Sequence, residues 1–452
     1  MMFSKSGDSF PRPPGRVVIV GAGLAGLACA TRLQEAGAEW LLIEAEQAPG
    51  GRVRTHLTPG GYRIDHGFQV LLDSYPTARR LLDLEALKPC YFESGALMAG
   101  LEGWERLLNP IHHPASLLAA VASPSFSLRE KIILGSYAVR QLLCSDESHL
   151  AREAGLSTNE ELARLGLDGA VMEKFLGPFF SGVFLDDELG SDASIFRYDL
   201  KKFALGRALL PAEGMGAIPR QLASRLSSES VRYGARVDSL QFNGEIPSAV
   251  ILAGGEVIPF EFLVLATDEK TSLRLRGNGD SRGRPWKEVS TLYFTGDRPL
   301  YEGGLLVLPT AVSASHNRKR IVTHFTDLTN TAPDYAPPGK RLLSATVLHT
   351  SSNHCPDHGD LEKLVLGARA EIESLLPSFQ EWEFLQEVRI RHALPSQAPG
   401  FMKSRPERRP LRNLWLAGDQ VAHASIDSAL TSGLDTADEV LNCLASPNFS
   451  NA

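Results

Sequence analysis

No run in the 452-residue chain reaches the roughly 18 apolar residues that a membrane-spanning helix needs. Cysteine is scarce: Cys29, Cys90, Cys144, Cys355 and Cys443 stand far apart, with no CxxC pair among them. That odd, scattered set excludes a zinc ribbon and a disulfide framework, and it fits a reducing compartment. Positive charge is also short. Lys and Arg number 46 against 53 Asp and Glu, a net charge of −7, and no basic cluster marks a nucleic-acid groove. His112 and His113 lie beside prolines with no third ligand at metal spacing, so no metal site is expected. The opening MMFSKSGDSFPRPPGR lacks the apolar core of a signal peptide and reads as a short leader. Together these absences predict a soluble, cytoplasmic protein. The apolar stretch around residues 104–143 is cut by Pro114, Pro124 and the charged run 129–131. Two readings of it stay open: ordinary core helices, or a surface for a lipid-like substrate and peripheral membrane contact.

What the chain does have is glycine in telling places. VVIV, residues 17–20, is a continuous β-branched run of the kind buried on both faces of a parallel sheet. Gly21, Gly23 and Gly26 follow as G-x-G-x-x-G, and 24–36 has helix-forming composition that ends at Gly37. A second apolar run, WLLI, ends on Glu44, 18 residues after Gly26. Each position has a task in dinucleotide binding. Gly21 makes the tight turn, Gly23 lets the backbone approach a pyrophosphate, and Gly26 lets helix and strand close up. Glu44 is placed to hold ribose hydroxyls. Directly after it, Gly50 and Gly51 allow another close approach, and Arg52 offers a fixed charge to phosphate.

The segment 17–55, with GGR-x-x-T after the acid, resembles the FAD-binding segment of the flavin amine oxidase and phytoene desaturase superfamily. That resemblance implies FAD, with Glu44 on the adenosine ribose and Arg52 near the phosphates. It also gives meaning to the chain's far end. NLWLAGDQVAHASIDSALTSG matches the superfamily's closing motif, which implies Gly418 and Asp419 at the ribityl–phosphate portion and a helix opening near Ile426 toward the flavin ring. A helix N-terminus there stabilises negative charge on reduced flavin. By position Gly67 admits the ring, and Val237 lays its backbone against adenine. His66 is the candidate for proton transfer, with a packing role as the alternative. No cysteine lies in the closing motif, so FAD is expected to be non-covalent.

The expected fold is α/β: a Rossmann-like, GR2-type FAD-binding domain with a mixed-sheet and helical substrate domain. The cofactor domain is assigned to 14–75, 205–280 and 385–445, and the substrate domain to 76–204 and 281–384, with tails at 1–13 and 446–452. Against the amine oxidases, Ser290 takes the place of a lysine that holds water at the flavin, although Lys287 is close by. Ser425 replaces an aromatic wall. These departures resemble the desaturase side and imply dehydrogenation of a small hydrophobic, isoprenoid- or carotenoid-like substrate. An amine or protoporphyrinogen-type oxidase, and a flavin-binding protein or isomerase without net redox turnover, are the alternatives.

Overall fold

Val17–Val20 is buried at every residue, as a strand covered on both faces must be. In the computed structural model it is the centre of a five-stranded, all-parallel sheet, flanked by Trp40–Ile43 and Phe262–Leu265. Val231–Arg232 and Leu414–Leu416 form the two edges. The structure describes residues 17–100, 103–150, 153–277, 283–310, 320–350 and 360–446. The leader, Cys355 and all but the first residue of the C-terminal tail lie outside them.

Both faces of the parallel sheet are covered. Helix Leu24–Glu35 ends at Ala36, with Gly37 in the left-handed region at φ +70°. It packs on one face beside the closing helix Ile426–Leu444. The two helices cross closely because Gly433 has no side chain: a Cβ there would lie 2.1 Å from the Ala25 carbonyl oxygen. On the other face sits a three-stranded antiparallel sheet, Val237–Asn243, Ile246–Leu252 and Val257–Pro259. Its Val237, Leu240 and Val250 pack against Val18, Ile43 and Leu263.

The second layer is a seven-stranded mixed sheet. Its strand order is Glu383–Pro395, Trp286–Gly296, Arg341–Leu348, His324–Asp327, Leu306–Pro309, Gly95–Gly100 and Gly103–Leu108. Leu306–Pro309 runs parallel to Gly95–Gly100; the other pairings are antiparallel. One face carries Leu292, Phe294, Phe325 and Ala345 and is closed by helix Leu361–Leu375. Side chains two apart share a face, so the other face carries Thr291, Tyr293, His324, Ser344 and Thr346. Helices Gly177–Phe184 and Ala193–Leu205 and the segment around Gly67 lie on that side.

One expectation is corrected here. The domain boundary at 385 falls inside the strand Glu383–Pro395, which stays paired with Trp286–Gly296 from Thr295 to Trp286. The backbone ladder holds this strand in the large sheet, and the chain rejoins the parallel sheet only at Leu414.

Candidate cofactor and substrate site

The glycine turn is built as a cradle. Gly21 is left-handed, φ +105°, and its N–H donates to the Ile43 carbonyl at 2.8 Å. A Cβ on Gly26 would lie 1.9 Å from the Gly21 carbonyl oxygen, so helix and turn are in direct backbone contact. Gly23 differs. Its backbone is ordinary, φ −71° and ψ 176°, and nothing lies within 4 Å of where its Cβ would be. The helix that starts there has no side-chain cap and no acid in its first turn, which leaves its positive end free for an anion. Gly51, at φ +60°, folds back until its own Cβ position is 3.5 Å from Gly23 Cα. Glu44 closes the side of the cradle, with Oε2 accepting from the Ala22 N–H at 2.6 Å and Oε1 from the Glu46 N–H at 2.9 Å.

The far end of the chain meets this cradle. Arg52 Nη2 lies 2.6 Å from Asp419 Oδ2, and Arg52 Nη1 donates to the Ala393 carbonyl at 3.2 Å. Gly418, at φ +96°, donates its N–H to Ser432 Oγ at 3.0 Å, which fixes the turn that presents Asp419. Buried Arg284 donates from Nη2 to the Asp419 carbonyl at 2.7 Å and is itself paired with Glu269 at 3.2 Å. Ile426 opens the closing helix, as expected. Val237 lies two residues from Ala235, whose N–H donates to the Glu44 carbonyl at 2.8 Å. The structure therefore gathers residues from three distant segments around one turn. These features fit the pyrophosphate and ribose groups of FAD: an open cradle, a free helix end, a ribose-side carboxylate and a basic–acidic pair.

Gly67 is left-handed at φ +88°, and a Cβ on it would lie 2.9 Å from Ile390 Cδ1, so the large sheet presses on this turn. Gln69 Nε2 bridges the Arg52 and His66 carbonyls. The His66 ring lies 3.4 Å from the Arg54 guanidinium. Burial, with Arg54 and His56 adding to it, lowers this imidazole to about 4. It is neutral at pH 7 and a poor store for a proton.

One reading changes. Ser290 is wholly buried on the Leu292 side of the sheet, where its Oγ is bonded to Glu387 and lies 2.7 Å from His349 Nε2. The positions of that strand that face the Gly67 turn are Val289 and Thr291, and Thr291 Oγ1 accepts the Phe68 N–H at 3.3 Å. Ser425, the serine in place of an aromatic wall, caps the closing helix: its Oγ accepts the Ser428 N–H at 3.0 Å. Asp186 pairs with Lys287 at 2.7 Å and accepts the Gly190 N–H. Burial lowers the Lys287 pKa against the pull of that carboxylate.

Sequence reading missed four buried groups. Asp65 takes the Met215 N–H at 3.0 Å, the Tyr335 hydroxyl at 2.8 Å and the Thr55 hydroxyl, while burial pushes its carboxyl up to about 6. His423 is pinned by Ser428 Oγ, 2.6 Å from Nδ1, and by the edge of the Tyr198 ring; burial, then Arg405 and Lys202, lowers it to about 3. Arg284 and His324 complete the set. The signal for His423 was its place inside the quoted closing motif, and for Asp65 its position two residues before Gly67.

Comparison with known proteins follows the same lines. A family model described as flavin containing amine oxidoreductase matches residues 24–441. The phytoene dehydrogenase of Streptomyces griseus is 30% identical over 302 residues, covering 60% of this chain and 58% of that protein. The 15-cis-phytoene desaturase of Arabidopsis thaliana is 22% identical over 471 residues, 95% of this chain and 81% of that one. Among solved structures, putrescine oxidase bound to putrescine superposes with a TM-score of 0.69 at 19% identity, over 95% of this chain and all of that chain.

Proposed function

Because the chain belongs to the flavin-containing amine oxidoreductase family, with FAD as its cofactor, we propose that it dehydrogenates a large apolar, isoprenoid-like molecule. The observation that carries this reading is the wall above Gly67. Val289, Thr291, Val388 and Ile390 present no charge there, and the strand's lysine is occupied by Asp186. The similarity to phytoene dehydrogenase and phytoene desaturases supports it. Bound FAD supplies the hydride acceptor. The protein's own part is to bind, orient and keep water out. Gly23, Gly51 and the free helix end hold phosphates, Glu44 a ribose, and the Arg52–Asp419 pair the middle of the cofactor. The packed sheet face and the aromatic helix Gly177–Phe184 exclude water from the reacting carbon.

The test is anaerobic. Flavin in the purified holoprotein is expected to bleach on addition of an apolar isoprenoid and to recover slowly when air is admitted. Fast recovery would point to an oxidase, and no bleaching by any apolar compound would remove the proposal. The flavin itself should be released by acid precipitation. Cys29 is buried in its helix, Cys90 and Cys443 are partly buried against the same hydrophobic core, and none of the described cysteines is in the closing motif. Yellow colour staying with the pellet would contradict this.

We also propose that residues 111–143 rest on a membrane. Helix Leu128–Leu143 is inside out: its buried side chains are Glu130, Tyr137 and Gln141, while Leu128, Ile132, Val139 and Leu143 form one exposed stripe. Helix Ser116–Ala122 buries nothing, and Leu118 is 80% exposed. Eight of the 15 exposed large apolar side chains among the described residues fall in this stretch. Scattered apolar residues need no explanation, but a contiguous patch does. No helix among the described residues is long and apolar enough to cross a membrane. Replacing both Leu118 and Ile132 by Asp should cut flotation with neutral lipid vesicles at least ~10-fold, since each buried aliphatic side chain contributes about 1.5–3 kcal/mol. Melting temperature should not change, because both are exposed. Unaltered flotation would refute the contact.

A further inference from the structure

We propose that His324 and Thr346 form a recognition point for an oxygen-bearing group, a hydroxyl or carbonyl, on the otherwise apolar substrate. This rests on the apolar-substrate reading above and narrows it.

His324 is 4% exposed, and neither of its ring nitrogens has a hydrogen-bond partner among the described residues. Thr346 stands directly across from it on the neighbouring strand, with Oγ1 buried and unpartnered. One rung along on the same face, Ser344 Oγ is unpartnered as well. Buried polar side chains are normally paired, and leaving them unpaired costs stability. Four such atoms on one patch of one sheet face are not explained by packing.

The surroundings hold the imidazole without satisfying it. The Phe68 ring meets it edge-on at 5.2 Å between centroids. On the helix side Gly182 makes room, because a Cβ there would lie 2.4 Å from Nδ1 and Cε1. Phe68 follows Gly67, the turn assigned to the flavin ring, and its N–H reaches Thr291 on the same sheet face. The patch therefore adjoins the reacting region and is not a remote core defect.

The chemistry of the group follows from its charge state. Burial lowers His324 to about 4, so at pH 7 it is neutral, with one N–H donor and one bare acceptor nitrogen. The Thr346 hydroxyl also gives and takes one bond. Such a pair suits a neutral oxygen function. It lacks the countercharge that a carboxylate or an ammonium would need.

The test uses the FAD-loaded full chain and two probes of equal carbon skeleton, farnesol and farnesene. Binding is followed by the perturbation of flavin absorbance under anaerobic conditions. Wild type should bind the alcohol roughly tenfold more tightly, the size of one well-made buried hydrogen bond. His324→Leu should bring that ratio to about one while leaving farnesene affinity unchanged, and its melting temperature should hold or rise. His324→Gln, which keeps a donor and an acceptor, should retain part of the preference and serves if the Leu variant does not fold. Equal binding of both probes by wild type overturns the His324 assignment alone. A preference that survives His324→Leu also overturns it. If neither probe binds wild type, the apolar-substrate reading falls and this one with it.

Discussion

Gly23→Val is expected to yield a folded, colourless protein. The glycine's backbone lies in a region open to any residue, and no protein atom stands within 4 Å of its Cβ position. A valine side chain thus costs the apoprotein little and fills only the space assigned to the pyrophosphate. FAD affinity should fall by at least ~100-fold, on the order of 3 kcal/mol. Gly26→Val should behave differently. There a Cβ would sit 1.9 Å from the Gly21 carbonyl oxygen, so the first strand and helix cannot both stay in place and the fold itself should fail. Glu44→Ala lies between, losing ribose hydrogen bonds worth roughly 1.5–3 kcal/mol in total. The flavin-to-protein absorbance ratio after desalting, together with a melting curve, separates the three. A Gly23→Val protein as yellow as wild type would show that the phosphates lie elsewhere.

Polyamines and simple monoamines are expected to leave the oxidised flavin unbleached. Lys287 is engaged 2.7 Å from Asp186, and the strand positions that face Gly67 are Val289 and Thr291. Neither side chain carries a countercharge for an amine. An apolar substrate needs none, because removing roughly 300 Å² from water contributes about 7.5 kcal/mol before the cost of association. A stopped-flow screen decides the matter. Rapid bleaching by any small amine would restore the amine oxidase reading.

The parallel sheet was legible because a strand buried on both faces has no choice but to be apolar throughout, and 17–20 and 40–43 are. The glycines were legible because their spacing is a backbone requirement that other residues cannot meet. Ser290 misled because a strand's two faces alternate: a shift of one residue in alignment turns a flavin-facing position into a core one. Ser425 has a second task that the resemblance did not show, because serine before a helix is a favoured cap. His324 was invisible for another reason. In THFTD only Phe325 is apolar, which reads as a mostly wet strand and not as one with a buried histidine. What covers that face comes from residues 67–68 and from Gly182, neither of which is near it in sequence.

The adjacency of the first and last helices also sets an order of events during synthesis. Val17–Val20 gains its second neighbour only when Phe262–Leu265 exists, and Arg52 meets its carboxylate only when Asp419 has left the ribosome. At about 5–20 residues per second, that is a delay of roughly 20–80 s during which the glycine turn has been made but cannot be closed. Flavin capture therefore waits until the Leu414–Leu416 strand and Asp419 have been made. A nascent protein stalled before Leu414 should emerge without flavin, however much is supplied.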